Sequence, residues 1–223
     1  MALLLQPKAP PLPPCTLPRV LHVGSGKNFR PEWLNLDVEP RWRPDFVFDL
    51  GQPLPAGGRL EVATERFGTV TLGGGTFAAI VAQDVLEHVR ELTTAMATML
   101  HWLEDGGVLQ IAVPYELSLG AWSDPTHVRA FNERSFVYYC EWFWYLGWRT
   151  HRFHVQKVEF VASEFGRTLV AAKKPQDEIL RTPRAIEQMY VELVKRPLDD
   201  RDRAALAHCE RRGQSAAHGG AAD

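Results

Sequence analysis

"VLHVGSGKNFRPEWLNLDVEP", residues 20–40, decides how this chain is read. An apolar run, broken only by His22, ends on Gly24 and Gly26. A second run follows and ends on a carboxylate, Asp37. Glycines let a backbone turn tightly and let a ligand approach it closely. In an open α/β sheet such a loop lies at the carboxyl ends of the strands, where ligands bind. A phosphate loop of the Walker type needs a lysine followed by Ser or Thr after a longer loop, and "GSGKNFRP" has no such pair. A dinucleotide fold wants a third glycine, an uninterrupted helix and an acid about 20 residues on. Here Asn28 occupies the third position, Pro31 interrupts the connector, and Asp37 comes eleven residues after Gly26. A pyrophosphate cradle is therefore disfavoured. A ligand with ribose hydroxyls for Asp37 and a small charged chain over the glycines fits better. The bland alternative is a plain turn with a solvated Asp37.

The surrounding pattern fixes the class. Residues 19–24, 33–38, 45–50, 77–84 and 108–114 read as buried strands. Residues 85–103 carry a helical stripe of Val85, Leu86, Val89, Leu92, Met96, Met99, Leu100 and Leu103. Asp84 and Glu87 look like a capping pair at its start, and "EDGG" like its glycine stop. Residues 115–131 read as a loop, 132–146 as an Asn-capped helix, and 152–162 with 165–174 as an antiparallel pair. Residues 175–212 read as a partly helical extension around "PRAIEQMYVELVKR". Residues 1–18 read as a proline-rich extended arm and 213–223 as a disordered tail. Strands alternating with connectors imply a mostly parallel α/β sheet with an antiparallel terminal strand, in one domain over residues 19–174.

Composition excludes several classes. At 223 residues and 45% hydrophobic, the chain can bury one sizeable core. A net charge of -2 gives no global field for nucleic acid. Cys15, Cys140 and Cys209 form no CxxC pair, which excludes a zinc ribbon and a disulfide framework and fits a reducing cytoplasm. "MALLL" is too short for a signal-peptide core, and no apolar run approaches the roughly 20 residues that span a bilayer.

Taken in order, the motifs over residues 19–174 resemble class I S-adenosylmethionine-dependent methyltransferases. "VLHVGSGKN" resembles the first motif, "LNLDVEP" the acidic ribose motif, and "VFDLGQPLP" the motif beside the adenine. "FAAIVAQDVLEHV" and "LHWLEDGGVLQIAVP" resemble the segments around strands four and five. The similarity is greatest to small bacterial members with a short first connector and a "DPTHVR" segment. Two departures stand out: His22 replaces the usual acid, and the helix after the first strand is shortened.

The resemblance implies a Rossmann-like fold, S-adenosyl-L-methionine as cofactor, and transfer of a methyl group to a small-molecule or sugar-like acceptor, by O- or N-methylation. His22, Val23, Gly24, Ser25 and Gly26 would border the methionine part, and Asp37 with Val38 the ribose. Asp49 and Leu50 would border the adenine, and Gln83, Asp84 and Val85 the sulfonium. His127 is the candidate general base, since imidazole changes charge near neutrality, with Asp124 to orient it and His88 facing the acceptor. A purely structural His127, bonded to the loop backbone, is the alternative. Tyr115, Trp122, Arg129, Tyr138 and Trp142 are candidate acceptor contacts. Arg129 would hold an anionic group. Phe136, Tyr139 and Phe143 share one helix face, and Tyr138, Trp142 and Tyr145 another, which offers a pocket wall or a homodimer surface. Some related methyltransferases hold a metal through a Glu and a His at the "LEH" position, but capping explains Glu87 and no metal is expected. A nucleic-acid or protein methyltransferase and a non-catalytic cofactor-binding scaffold remain the competing classes. "QDVL" lacks the Asn/Asp-Pro-Pro-aromatic signature of the first, and the intact glycines and Asp37 speak against the last.

Overall fold

The computed structural model describes residues 17–218, with side chains described to residue 211. The expected arm lies outside the described residues as far as residue 16. Among the described residues, nine strands form two sheets. The main one has seven strands in the order β3-β2-β1-β6-β7-β9-β8. β1 (Val20–Val23), β2 (Leu34–Asp37), β3 (Phe46–Val47), β6 (Phe77–Gln83) and β7 (Leu103–Pro114) pair in parallel. β9 (Ile186–Pro197) lies antiparallel to both β7 and β8 (His151–Ala162). This is a Rossmann-like α/β sheet, mostly parallel, with its last strand in chain order antiparallel. β4 (Leu60–Thr64) and β5 (Gly68–Leu72) form a separate antiparallel hairpin, outside the strands expected from the apolar runs.

Helix α1 (Leu92–Trp102) buries Leu92, Ala95, Met96, Met99, Leu100 and Trp102. Full burial of a Leu or Met contributes about 1.5–3 kcal/mol relative to exposure. The core joins these side chains to Leu21, Leu34, Leu36, Ile80, Ile111 and Val113 of the central strands.

Several expectations are corrected. The helix expected from residue 85 begins at Leu92; residues 85–91 form turns, with His88 N–H on the Val85 carbonyl at 3.0 Å. Glu87 is no cap, since its carboxylate makes no hydrogen bond. "EDGG" lies inside β7 rather than ending α1. The helix expected over 132–146 is two short pieces, α3 (Val137–Cys140) and a 3₁₀ turn at Phe143–Leu146. The aromatic split still holds: Phe136, Tyr139 and Phe143 are buried, while Tyr138, Trp142 and Tyr145 are exposed.

The largest correction is at the C-terminal end. Residues 165–174 are no strand but mostly helix α4 (Glu164–Ala171), because Ser163 accepts the Gly166 N–H at 2.9 Å and caps it. The antiparallel partner is β9, where Ile186, Met189, Val191 and Leu193 point inward and Glu187, Tyr190 and Glu192 do not. The domain therefore does not end at residue 174; its sheet runs to Pro197. Helix α6 (Asp200–His218) carries helical backbone into the stretch expected to be disordered. Among the described residues, no helix is long and apolar enough to cross a membrane, and Cys140 and Cys209 are free.

β1 and β2 are parallel neighbours joined only by residues 24–33, without a helix. Parallel crossovers normally take a dozen or more residues, and usually a helix, so this short connector must settle its polar groups another way. It does so through Asn35 and Asp45. Asn35 donates to the carbonyls of Arg30 and Trp33 at 2.8 and 3.0 Å and accepts from the Arg30 N–H at 2.9 Å. Asp45 accepts from the Asn35 N–H at 2.7 Å and from Arg66 Nε at 2.6 Å. Arg66 also donates to the carbonyls of Pro31 and Trp33. Burial raises the Asp45 carboxyl, but the hydrogen bonds from Arg66 and Asn35 outweigh it and hold the group below its ordinary value.

Replacing Asp45 by Ala should lower stability by about 2–3 kcal/mol in urea denaturation at neutral pH, by removing the buried carboxylate that Arg66 and the Asn35 N–H share. A depressed carboxyl stabilises only above its unfolded value, so the deficit should shrink as pH falls below about 4. An unchanged denaturation midpoint at neutral pH would refute this role.

Candidate active-site cleft

A cleft of about 620 Å³ opens where β1, β2 and β6 end. Its floor is the glycine loop. Gly24 has φ +62°, and a Cβ there would lie 2.2 Å from Val85 Cγ2. Only glycine meets both conditions. Val85 lines the cleft beside it, so the loop and the turn after β6 close on each other. Gly26, at φ +48°, points its N–H at Asp37 Oδ2, 2.7 Å away. Asp37 Oδ1 accepts from the Glu39 N–H at 2.8 Å. The Asp37 carboxylate is thus fixed by two backbone donors at the end of β2. A carboxylate has about four acceptor positions, so roughly two remain for a ligand.

The candidate donor residues divide into two groups. Val23, Gly24, Asp37, Val38, Asp49, Leu50, Asp84 and Val85 all line the cleft. His22, Ser25, Gly26 and Gln83 do not. Strand alternation turns His22 away from it, against Asn35 Oδ1 at 3.3 Å and edge-on to Trp33. Burial lowers the His22 pKa, against an opposing pull from Asn35. Ser25 is buried and ties the loop down, with its N–H on the Leu36 carbonyl at 3.0 Å. Gln83 lines a separate depression with Gln110 and Tyr190. Asp49 is partly engaged, accepting from the Gly51 N–H at 2.8 Å. Asp84 adopts φ +52° and accepts from Gln188 Nε2 at 2.8 Å. Trp42, Phe48, Gln52 and Glu91 also line the cleft and were missed. Trp42 was the findable one: an exposed aromatic five residues beyond Asp37.

The loop after β7 folds back to the turn at 85–91. Val128 N–H donates to the Glu87 carbonyl at 2.9 Å. This brings His127 against His88, with ring centroids 4.6 Å apart. His88 lines the cleft; the His127 side chain is only 8% exposed and turns its Nε2 to Glu87 Oε1 at 4.0 Å. His127 Nδ1 bonds to the Ala121 carbonyl at 2.9 Å, the backbone contact weighed as an alternative to catalysis. Asp124 does not hold His127 by its side chain. Asp124 Oδ1 accepts from the Thr126 hydroxyl at 2.6 Å, and Thr126 Oγ1 meets His88 Nδ1 at 2.9 Å. Asp124 therefore orients His88. Hydrogen bonds from the Thr126 hydroxyl and N–H hold the Asp124 carboxyl below its ordinary value.

Glu87 is 1% exposed, and neither carboxylate oxygen has a hydrogen-bond partner. Burial pushes its carboxyl up to about 7, and its own N–H offsets part of this without reaching hydrogen-bond geometry. The candidate acceptor contacts fare less well. Arg129 is clamped on the carbonyls of Val89 and Arg90 at 2.8 and 2.6 Å, so it staples the loop instead of facing an anion. Tyr115 is buried, its hydroxyl on Glu133 at 3.0 Å. Trp122, Tyr138 and Trp142 are exposed and outside the cleft lining.

The cleft has a definite charge. Asp37, Asp49, Asp84 and Glu91 line it against a single cation, Arg90. Phosphate groups would meet repulsion there, whereas a cationic ligand would be attracted.

No protein-family model and no curated protein matches the sequence. Solved structures with some likeness include an S-adenosylmethionine-dependent methyltransferase from Mesorhizobium loti, 14% identical, covering 82% of this chain and 93% of that one at a TM-score of 0.48. A SAM-dependent methyltransferase from Archaeoglobus fulgidus is 16% identical, covering 81% and 87%, at 0.48. An N-methyltransferase from Bradyrhizobium japonicum, in complex with S-adenosyl-L-homocysteine, is 16% identical, covering 80% and 78%, at 0.43. Identities and TM-scores this low leave the functional reading to the cleft itself.

Gly24→Ala should cost about 1–2 kcal/mol for the left-handed backbone alone, and more through the collision with Val85. Thermal denaturation should show the loss, and adding Val85→Ala should recover part of it. A Gly24→Ala protein as stable as the wild type would contradict the packing described.

Proposed function

We propose that the chain is an S-adenosylmethionine-dependent methyltransferase. The observation that carries this reading is the charge of the cleft. Four carboxylates against one arginine suit a donor that bears a sulfonium and an ammonium and no phosphate. The residues fit such a donor part by part. Asp37, fixed by two backbone N–H groups, keeps acceptor positions for the ribose hydroxyls. Phe48, Asp49 and Leu50 border the position for an adenine. Gly24 clears the floor for the methionine part, and Asp84 with Val85 borders the sulfonium end. A bound donor supplies an activated methyl group whose transfer turns the sulfonium into a neutral thioether.

The protein's task is then to position the acceptor and exclude water. The acceptor's lone pair forms the new bond to the methyl carbon, and the carbon–sulfur electron pair stays on sulfur. A hydroxyl acceptor must also lose its proton. His88 lines the cleft and is backed by His127 and Glu87, which makes this cluster the place for that step. We read the acceptor as a small, hydroxyl-bearing, sugar-like molecule. The cleft offers one arginine, which argues against a nucleic-acid backbone. A cytoplasmic enzyme fits the unpaired Cys140 and Cys209. The exposed ridge of Tyr138, Trp142 and Tyr145 is the surface we assign to a second copy of the chain.

Calorimetry should show saturable binding of S-adenosyl-L-methionine and S-adenosyl-L-homocysteine. Asp37→Asn keeps the shape but removes the charge, and should weaken binding about 10–100-fold, the equivalent of a charged hydrogen bond. A folded wild-type protein that binds neither ligand would overturn the assignment. Unchanged affinity in Asp37→Asn would remove the ribose role.

A further inference from the structure

A further cavity, of about 370 Å³, differs from the cleft in charge. It opens where β8 begins and β9 ends, beside the last turn of α1. β9 runs antiparallel to β7, so this is the amino end of the parallel strands, opposite the cleft. β6 spans seven residues between the two ends, about 20 Å at roughly 3.3 Å per residue. Lys195, Arg149, His151, His101, Thr150 and Trp148 line the cavity. Among the described residues, no carboxylate does. The cleft sets four carboxylates against one arginine; here two cations and two imidazoles face no acid.

Lys195 is the informative residue. It is 7% exposed, and a lysine is almost never buried so far unless it is paired. Its Nζ donates to the Leu103 carbonyl at 2.7 Å, at the end of α1. An ammonium has three N–H groups, so two remain. Asp105 stands 3.9 Å away and gives its short contact, 3.0 Å, to His151. Burial pulls the Lys195 pKa down, and Asp105 only partly offsets this. Arg149 meets Glu210 of α6 through one guanidinium nitrogen, and its fork carries further N–H groups. Capping α1 uses one Lys195 donor and none of Arg149.

We infer that this cavity binds a phosphate ester, its phosphate between Lys195 and Arg149 and its uncharged body against Trp148. A phosphate monoester carries about two negative charges at neutral pH, which matches two cations; a carboxylate would neutralise only one. Its oxygens accept the N–H groups that Leu103 and Glu210 leave over. An anion between two cations in a partly buried site is held more strongly than it would be in water. The body has a place too. Leu100, Ala97 and Trp148 wall the cavity, and an adjoining hollow of about 480 Å³ shares Ala97 and Trp148. An indole ring offers a planar body a face or an edge to pack on. The acidic cleft repels phosphate, so charge sorts ligands between the two ends of the sheet. Nothing in this site depends on the methyl-transfer reading.

The test is calorimetric titration of the wild-type protein with phenyl phosphate, inorganic phosphate and benzoate. One phenyl phosphate per chain is expected, bound about 10-fold more tightly than either of the others. Arg149→Gln and Lys195→Met should each weaken it about 10-fold or more, the equivalent of a charged hydrogen bond. Lys157→Met, at an exposed lysine on β8, should change nothing. Saturating the cleft with S-adenosyl-L-homocysteine should leave the affinity unchanged. If Lys195→Met does not fold, Arg149→Gln decides, since that side chain is 63% exposed. No saturable binding of phenyl phosphate, affinity kept in Arg149→Gln or in a folded Lys195→Met, or displacement by S-adenosyl-L-homocysteine would overturn the site. Benzoate bound as tightly as phenyl phosphate would overturn the phosphate class. Inorganic phosphate bound as tightly as the ester would overturn the role of Trp148.

Discussion

Everything at the cleft depends on a short crossover. Two parallel strands, β1 and β2, are joined by residues 24–33 with no helix to absorb the backbone groups between them. Two aspartates and an asparagine do that work. Asp45 and Asn35 hold the outer half of the connector, and Asp37 holds the inner half through Gly26. The same arrangement prevents the loop from serving phosphate. A nucleotide-phosphate loop relies on the N-terminus of the helix that follows it. Here that helix is missing, and a fixed carboxylate points where an anion would sit.

The second constraint is the turn after β6. A helix beginning at residue 85 would have made Glu87 an ordinary cap. Instead the chain turns at Asp84, in the left-handed region, and α1 starts only at Leu92. The intervening turn pushes Val85 onto Gly24 and buries Glu87. The loop after β7 then packs on this turn through Val128 and Arg129, and brings His127 to His88. The side chain that packs on Gly24 and the one that meets His127 therefore come from one seven-residue segment, 85–91. A change in that segment would be felt at both.

Much of this was legible in the sequence. The buried parallel strands declare themselves as apolar runs bounded by turns, and Gly24 and Asp37 lie where their spacing placed them. Eight of the twelve residues assigned to the donor line the cleft. His22 shows why the others lie outside that lining: only the pleat decides which side of β1 it faces, and its partner Asn35 is thirteen residues away. β9 reads as helix because Glu187, Gln188, Glu192 and Lys195 are good helix formers, although Met189, Val191 and Leu193 are spaced for a strand face. Pairing with β7 and β8 overrode that preference. The role of Glu87 was hidden for a different reason. Its two histidine neighbours come from adjacent sequence and from a distant loop, and only the folded loop shows that no donor reaches it.

The central claim is that a carboxylate fixed on the glycine loop reads the ribose of a methyl donor. A crystal structure of the protein with S-adenosyl-L-homocysteine tests it most directly. The account predicts the ribose hydroxyls on Asp37, the adenine against Phe48 and Leu50, and the amino-acid end over Gly24. Ligand bound with its ribose away from Asp37, or a cleft left empty at saturating ligand, would contradict it.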